Sequence, residues 1–202
     1  MNIPHESRSK RLMSVTDEQH ERLHVLVAQQ APFSSLAAYG HWLDVQFRFQ
    51  YRIASLYHWP ALGDLLPELP ERGRLAAVEA DLRDLGRTVP ASGTLAEQPR
   101  QDPEAWGWLF VSEGSNLGAA ILLKRARALG LSEQHGARHL AGAPEGRARH
   151  WRAFTAVFDA LSLDAAQEAR LQAAAKAAFA YFEVLLQDAC AQQVQPEPEL
   201  AL

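Results

Sequence analysis

Histidine is the side chain best suited to chemistry at neutral pH, and this chain has eight: His5, His20, His24, His41, His58, His135, His139 and His150. His20 and His24 stand four residues apart, as do His135 and His139. On a helix that spacing puts both rings on one face, where they supply part of a metal site. Neither pair belongs to an HExxH motif, and neither has an acidic partner at ligand spacing. Two histidines on a polar helix surface is therefore the stronger reading of each pair. His20 differs in its company. It shares a stripe with Leu23 and Val27, on the core side of its helix, and His24 follows one turn on. An inward imidazole is either a core residue bonded to a backbone carbonyl or an axial ligand to iron in a flat macrocycle. Spacing alone does not choose between His20 and His24.

The second feature is the run WGWLFVSEGSNLGAAILL, residues 106–123. It reads as a buried helix, yet Gly114 and Gly118 lie in its middle on one face. Each interior Gly costs a helix about 1 kcal/mol relative to Ala. A helix with two bare positions on one face lets something press against its backbone. Close packing of a second helix is the usual reason. Ser112, Ser115 and Asn116 flank the glycines and can hold ordered water, which suits a ligand groove better than a dry helix contact. Lys124, Arg125 and Arg127 follow, and complement the helix dipole in any case. Lys10 and Arg11 precede His20. Cations at both places suit a ligand that carries carboxylates.

The elements that must position these residues read as helices throughout. Apolar spacings of three and four predict a first helix from about Ser9 to Gln30, ended at Ala31-Pro32. Ser35 N-caps a second helix to about Tyr57. A short helix is expected over Asp64–Leu69, closed by Pro70, and another over Glu71–Leu85, stopped by Gly86. Residues 87–102 form the longest loop, a link or a lid. The glycine-bearing helix runs from about Pro103 to Leu129. A short helix over Glu133–Leu140, a turn at 142–146 and a helix over Arg147–Leu161 follow. Asp164 N-caps the last helix, which reaches about Ala191. No stretch alternates with period two for long enough to be a strand. The expectation is an all-α single domain over residues 1–202, of seven or eight helices, with frayed tails at about 1–8 and 193–202.

Composition fits that picture. A 202-residue chain with 48% hydrophobic residues can bury one sizeable core. A net charge of −4 with no long run of one sign leaves no nucleic-acid footprint. Cys190 stands alone, which fits a reducing compartment. There is no signal-peptide pattern and no apolar run of membrane-spanning length, so a cytoplasmic location is expected. GxSxG, phosphate-loop and CxxC signatures are missing, as is a flavin or nicotinamide fingerprint.

Taken together, several segments resemble the bacterial haem oxygenases, and their pseudomonad iron-regulated branch most of all. Thr16, His20 and Leu23 form T-x-x-x-H-x-x-L, WLFVSEGSNLGAAILLKRA occupies residues 108–126, GARHLAG and PEGRARHWRAF follow, and AFAYFEVLL lies in the last helix. The likeness runs from about Lys10 to Leu186. It implies an all-helical fold with haem between a proximal and a distal helix. It implies His20 as the iron ligand, Gly114 and Gly118 against the haem face, and Ser112, Ser115 and Asn116 near a distal water network. It implies Phe110 in the distal wall, and Lys124 and Arg125 as the basic pair near the distal helix end, with Arg125 meeting a propionate. The implied reaction takes haem, oxygen and electrons to biliverdin, ferrous iron and carbon monoxide. Its electrons come from a ferredoxin or flavodoxin-type reductase, for which a basic patch around Lys124, Arg125 and Arg127 is the expected docking face. Biliverdin supply to a phytochrome and release of iron are both open as purposes. A haem carrier or sensor without turnover is the alternative on the same scaffold.

The chain departs from the family pattern at three places. Many members carry a propionate-binding Lys where Met13 stands, and a basic residue where Phe182 stands. Both changes resemble the pseudomonad branch, in which the haem is turned in its plane. That branch holds the turned haem with a Lys where this chain has Ala28. Neither clamp is complete, so the resemblance does not assign the meso carbon that is cut.

Overall fold

A computed structural model of the chain describes residues 6–90 and 102–194, with the backbone alone for 191–194. Among them are nine α-helices, two 3-10 segments and no strand. The helices are α1 (Arg8–Val15), α2 (Asp17–Gln30), α3 (Leu36–Ile53), α4 (Pro60–Gly63), α5 (Leu69–Arg72), α6 (Leu75–Asp84), α7 (Asp102–Ala128), α8 (Arg147–Ala160) and α9 (Ala165–Val194). No helix among the described residues is long and apolar enough to cross a membrane.

The longest two helices, α7 and α9, form the spine and pack along each other more extensively than any other pair. Helices α2 and α3 lie on α9, α6 on α3, α8 on α7, and α1 on α8. The core between them is aromatic. Trp106 of α7 meets Phe154 and Phe158 of α8 at ring-centroid distances of 5.7 and 6.3 Å. Phe182 of α9 meets Trp42 and Phe49 of α3 at 5.9 and 5.3 Å. Pairs at such distances contribute beyond their buried area.

Several boundaries follow the cap chemistry that predicted them. The Ser35 hydroxyl accepts from the Ala38 N–H at 3.1 Å. Asp164 and Gln167 make a reciprocal capping box, each side chain accepting from the other's N–H at 2.8 Å. Gly86, at φ 67°, closes α6 in the left-handed conformation, with the Arg87 N–H returning to the Leu82 carbonyl.

Other boundaries correct the sequence reading. The first helix is two helices. Thr16 breaks it by turning its hydroxyl back onto the Leu12 carbonyl at 2.8 Å, with φ −113° and ψ 5°. The second helix ends at Ile53 and tightens into a 3-10 segment over Ala54–His58. Pro70 does not close a helix over 64–69; it occupies the first turn of α5. The single helix expected over 71–85 is split at Gly73, where φ is −59° and ψ 140°. The helix expected over 133–140 is a turn followed by a 3-10 segment, Arg138–Leu140. There Asp81 accepts from the Arg138 and His139 N–H groups at 2.8 and 2.9 Å, capturing donors a helix would have used. The expected N-terminal tail is shorter, because Arg8 begins α1 and bonds Glu168 and the Phe158 and Leu161 carbonyls. Most of the expected 87–102 loop lies outside the described residues, as does the tail beyond 194.

Candidate functional site

The glycine stripe of α7 is longer than the sequence suggested. At about 100° per residue, Gly107, Gly114 and Gly118 fall within about 40° of one another. Their surroundings differ. A Cβ on Gly107 would collide with the Leu171 carbonyl oxygen and stand 2.9 Å from the Ala175 nitrogen, both on α9. Gly107 is therefore where two helix backbones meet. A Cβ on Gly114 would stand 3.7 Å from the Trp151 ring of α8, an ordinary contact. A Cβ on Gly118 would meet nothing within 4 Å among the described residues. Leu117 and Ile121 beside it are 40% and 62% exposed. Arg125, seven residues after Gly118 on the same stripe, is exposed, as is Lys124. The C-terminal half of the stripe is thus bare backbone bordered by uncovered apolar side chains and ending in cations.

His20 and His24 project from α2, a helix that buries none of its side chains fully. The sequence placed His20 on the core side of this helix, but of that stripe only Leu23 and Val27 turn toward the core; both imidazoles are exposed, with centroids 4.4 Å apart and planes tilted by 43°. His20 also meets the edge of Phe179 on α9, at 6.3 Å. Helix α2 is tied to α9 by Arg22–Glu183 at 2.9 Å, and by the Gln30 amide donating to the Leu186 carbonyl at 2.7 Å. The spine helix α9 is thus a common floor for α2 and α7. Met13 is 53% exposed. The other histidine pair does not share a face: His139 is buried on Asp81 at 2.8 Å, while the His135 side chain is 60% exposed.

The hydroxyls flanking the glycines have separate tasks. Ser115 donates to the Ser112 carbonyl at 2.7 Å. The Asn116 carbonyl accepts from Arg147 at 2.8 Å. Ser112 is buried, its hydroxyl 2.8 Å from that of Tyr57, on the core side of α7 rather than on the open stripe. Phe110 packs on Trp151 and Phe158 of α8, at 5.3 and 4.9 Å. Phe182 is buried in the aromatic core described above.

The sequence reading missed the network behind α7. Glu113 is buried and pairs with buried Arg72 of α5 at 2.9 Å. The Tyr57 hydroxyl donates to the other Glu113 oxygen at 3.1 Å. Arg72 also donates to the His150 carbonyl at 3.3 Å. The His150 Nε2 stands 3.5 Å from Glu113, and its Nδ1 bonds Glu145 at 2.8 Å. Burial, and then the Glu113 carboxylate, push the Tyr57 hydroxyl well above the usual phenol range. Glu113 foremost, and also Glu145, raise the His150 imidazole above its ordinary value, against burial and Arg72. One sequence signal pointed here: an acid, Glu113, inside an apolar helix must find a buried cation.

Helices α2 and α7, both packed on α9, carry the groups that a flat, largely apolar ligand with an iron centre and acidic groups would need. One supplies exposed imidazole, the other backbone without side chains, and cations stand at the end. A surface depression lined by Trp106, Val157, Leu161 and Arg170 includes none of His20, Gly114 and Gly118. The arrangement defines an all-helical protein in which α2 and α7 both pack on α9, the space between them being the candidate cleft. Comparison with known proteins gives the particular family. The heme oxygenase family model matches residues 6–188, and the chain belongs to that family. It is 44% identical over 181 residues to heme oxygenase PigA of Pseudomonas aeruginosa, covering 89% of this chain and 91% of that one. It is 37% identical over 117 residues to a heme oxygenase of Xanthomonas campestris, covering 57% of this chain and 68% of that one. Among solved structures, the NO- and CO-bound heme oxygenase from Neisseria meningitidis superposes with a TM-score of 0.86 at 37% identity, covering 97% and 98% of the two chains. The heme oxygenase from Leptospira interrogans shares the fold, with a TM-score of 0.71 at 17% identity.

Proposed function

We propose that this chain degrades haem with oxygen and externally supplied electrons, releasing biliverdin, ferrous iron and carbon monoxide, with α2 and α7 as the two walls of the substrate site. One observation carries the reading: Gly118 has open space where a side chain would stand, between exposed Leu117 and Ile121. A helix loses about 1 kcal/mol by keeping such a glycine, and no packing against protein compensates at this position.

The roles follow from placement. His20 offers a neutral imidazole to the iron, and its edge contact with Phe179 holds the ring against α9. Gly114 and Gly118 let backbone approach the opposite face without a bulky side chain. Ser115 and Asn116 stand beside that backbone and would order the water that donates protons, while Ser112 holds α7 to Tyr57 from behind. Lys124 and Arg125 would take the propionates. Met13, exposed on α1, gives one edge of the site an apolar contact in place of a cation. Phe110 fastens α7 to α8, and Phe182 fastens α9, the floor, to α3. The haem supplies the oxygen-binding centre and is itself consumed. Electrons arrive from a ferredoxin or flavodoxin-type reductase, with the cations at the end of α7 as its docking face. The reaction belongs in a reducing cytoplasm, and its biliverdin is open to capture by a phytochrome.

The deciding experiment mixes purified protein with haemin and then adds ascorbate or a reductase in air. Loss of the Soret band with growth of a biliverdin spectrum is expected. A stable haem spectrum would instead mark a carrier. His20→Ala should abolish the axial imidazole signature and turnover; an unchanged signature would refute the ligand assignment.

A further inference from the structure

We propose that Trp151 fixes where along α7 the flat substrate sits, and hence which edge it presents to the Gly118 backbone. This rests on the cleft being the haem site. The stripe of bare positions is closed in sequence. Gly107 is covered by the α9 backbone, Gly114 by the far edge of the Trp151 ring, and Gly118 by nothing. The flat surface open to a ligand therefore begins past Gly114, and Trp151 is the side chain at that boundary. A stop of this kind works only if it cannot swing aside, and α8 is fastened in the turn leading up to it. Arg147, one turn before, donates to the carbonyls of Asn116 and Leu140. The neighbouring His150 lends its carbonyl to Arg72 and its ring to Glu113. The Trp151 ring itself stacks on Phe154 at 5.7 Å and meets Phe110 edge-on at 5.3 Å. The buried Arg72–Glu113 pair, which contributes little net stability by itself, thereby gains a task in holding the stop.

The test uses the full chain with haemin, comparing wild type, Trp151→Phe and Trp151→Ala, with Leu82→Ala as control. The shorter Phe ring cannot reach Gly114. Both Trp151 variants should keep the axial imidazole spectrum of the ferric complex. Both should change the pattern of haem-methyl proton shifts and alter the ratio of biliverdin isomers at least several-fold. Leu82→Ala removes buried volume from α6, which packs on α3, and leaves every contact named for Trp151 in place, so it should lower the melting temperature and leave the isomer ratio alone. A folded Trp151→Phe variant with wild-type methyl shifts and isomer ratio overturns the proposal. Wild-type protein that binds haemin without an imidazole signature overturns the reading of the cleft on which it stands.

Discussion

Three glycines on one stripe of one helix should respond to the same substitution in three different ways. Gly107→Ala drives a methyl into the α9 backbone. Backbone cannot rotate aside, so the loss should be about 1–3 kcal/mol or more, seen as a lower denaturant midpoint. Gly118→Ala meets open space and gains helix propensity, so the ligand-free protein should become more stable by about 1 kcal/mol. With the substrate lying flat on this backbone, as proposed, the same methyl would stand in its way, so haem affinity and turnover should fall. Gly114→Ala, with only an ordinary contact to Trp151, should fold normally and lose less affinity than Gly118→Ala. A Gly118→Ala variant with unchanged haem affinity would place the substrate elsewhere. His150 makes a prediction at the same scale. Glu113 of α7 and Glu145 of the preceding loop favour its charged form, and Arg72 of α5 opposes it. Its folded value lies above the unfolded value of 6.5. The stabilisation is therefore fully present below pH 6.5 and lost as pH rises through the higher folded value. Melting temperatures recorded across that window should decline for wild type, with a smaller decline in His150→Gln.

Between elements, the Arg72–Glu113 pair ties α5, α7 and α8 together, and both side chains are about 1% exposed or less. Arg72→Met leaves a carboxylate buried beside Tyr57 without its cation, so unfolding free energy should drop by about 3–5 kcal/mol. Arg72→Met with Glu113→Leu removes both charges and should recover most of that loss in the same denaturant titration. The pair also shows where sequence reading stops. The long helices were legible: α3 and α8 carry apolar periodicity, α7 and α9 are long apolar runs with no proline past the first turn, and the structure uses the caps at Ser35 and Asp164. The short pieces were not. Thr16, Gly73 and Asp81 end or replace helices through hydrogen bonds and backbone angles that local pattern does not distinguish from continuation. Gly114 and Gly118 were visible as a stripe. Gly107 belongs to the same stripe, but only the partner helix tells packing glycine from open glycine. Arg72 lies 41 residues from Glu113, and His150 another 37 beyond it, so their meeting is a property of the fold alone.

At the scale of the molecule, the two proposed walls of the substrate site differ in how firmly they are built. Helix α7 is packed on α8 and α9 and buries Trp106, Leu109, Leu123 and Ala126. Helix α2 has no fully buried residue: Leu23, Leu26 and Val27 rest only partly buried against the core, and one ion pair and one amide bond add to its hold on α9. Local opening free energy follows buried contact, so α2 should exchange its amide hydrogens far faster than α7 in the ligand-free protein. Haem laid against His20 would cover Leu23 and Val27, which are only half-buried now. Any ligand that binds the folded form alone stabilises it in proportion to RT ln(1 + [L]/Kd), about 2.7 kcal/mol at a hundredfold excess over Kd. Here that gain should fall unevenly. Hydrogen–deuterium exchange with and without haemin should show protection rising over Asp17–Gln30 and around Gly118, while α3 and the first half of α7 stay as they were. Protection that rises evenly over all helices would mean that haem stabilises the fold globally and that α2 is not the adaptable wall. Protection confined to other segments would move the site away from His20 altogether.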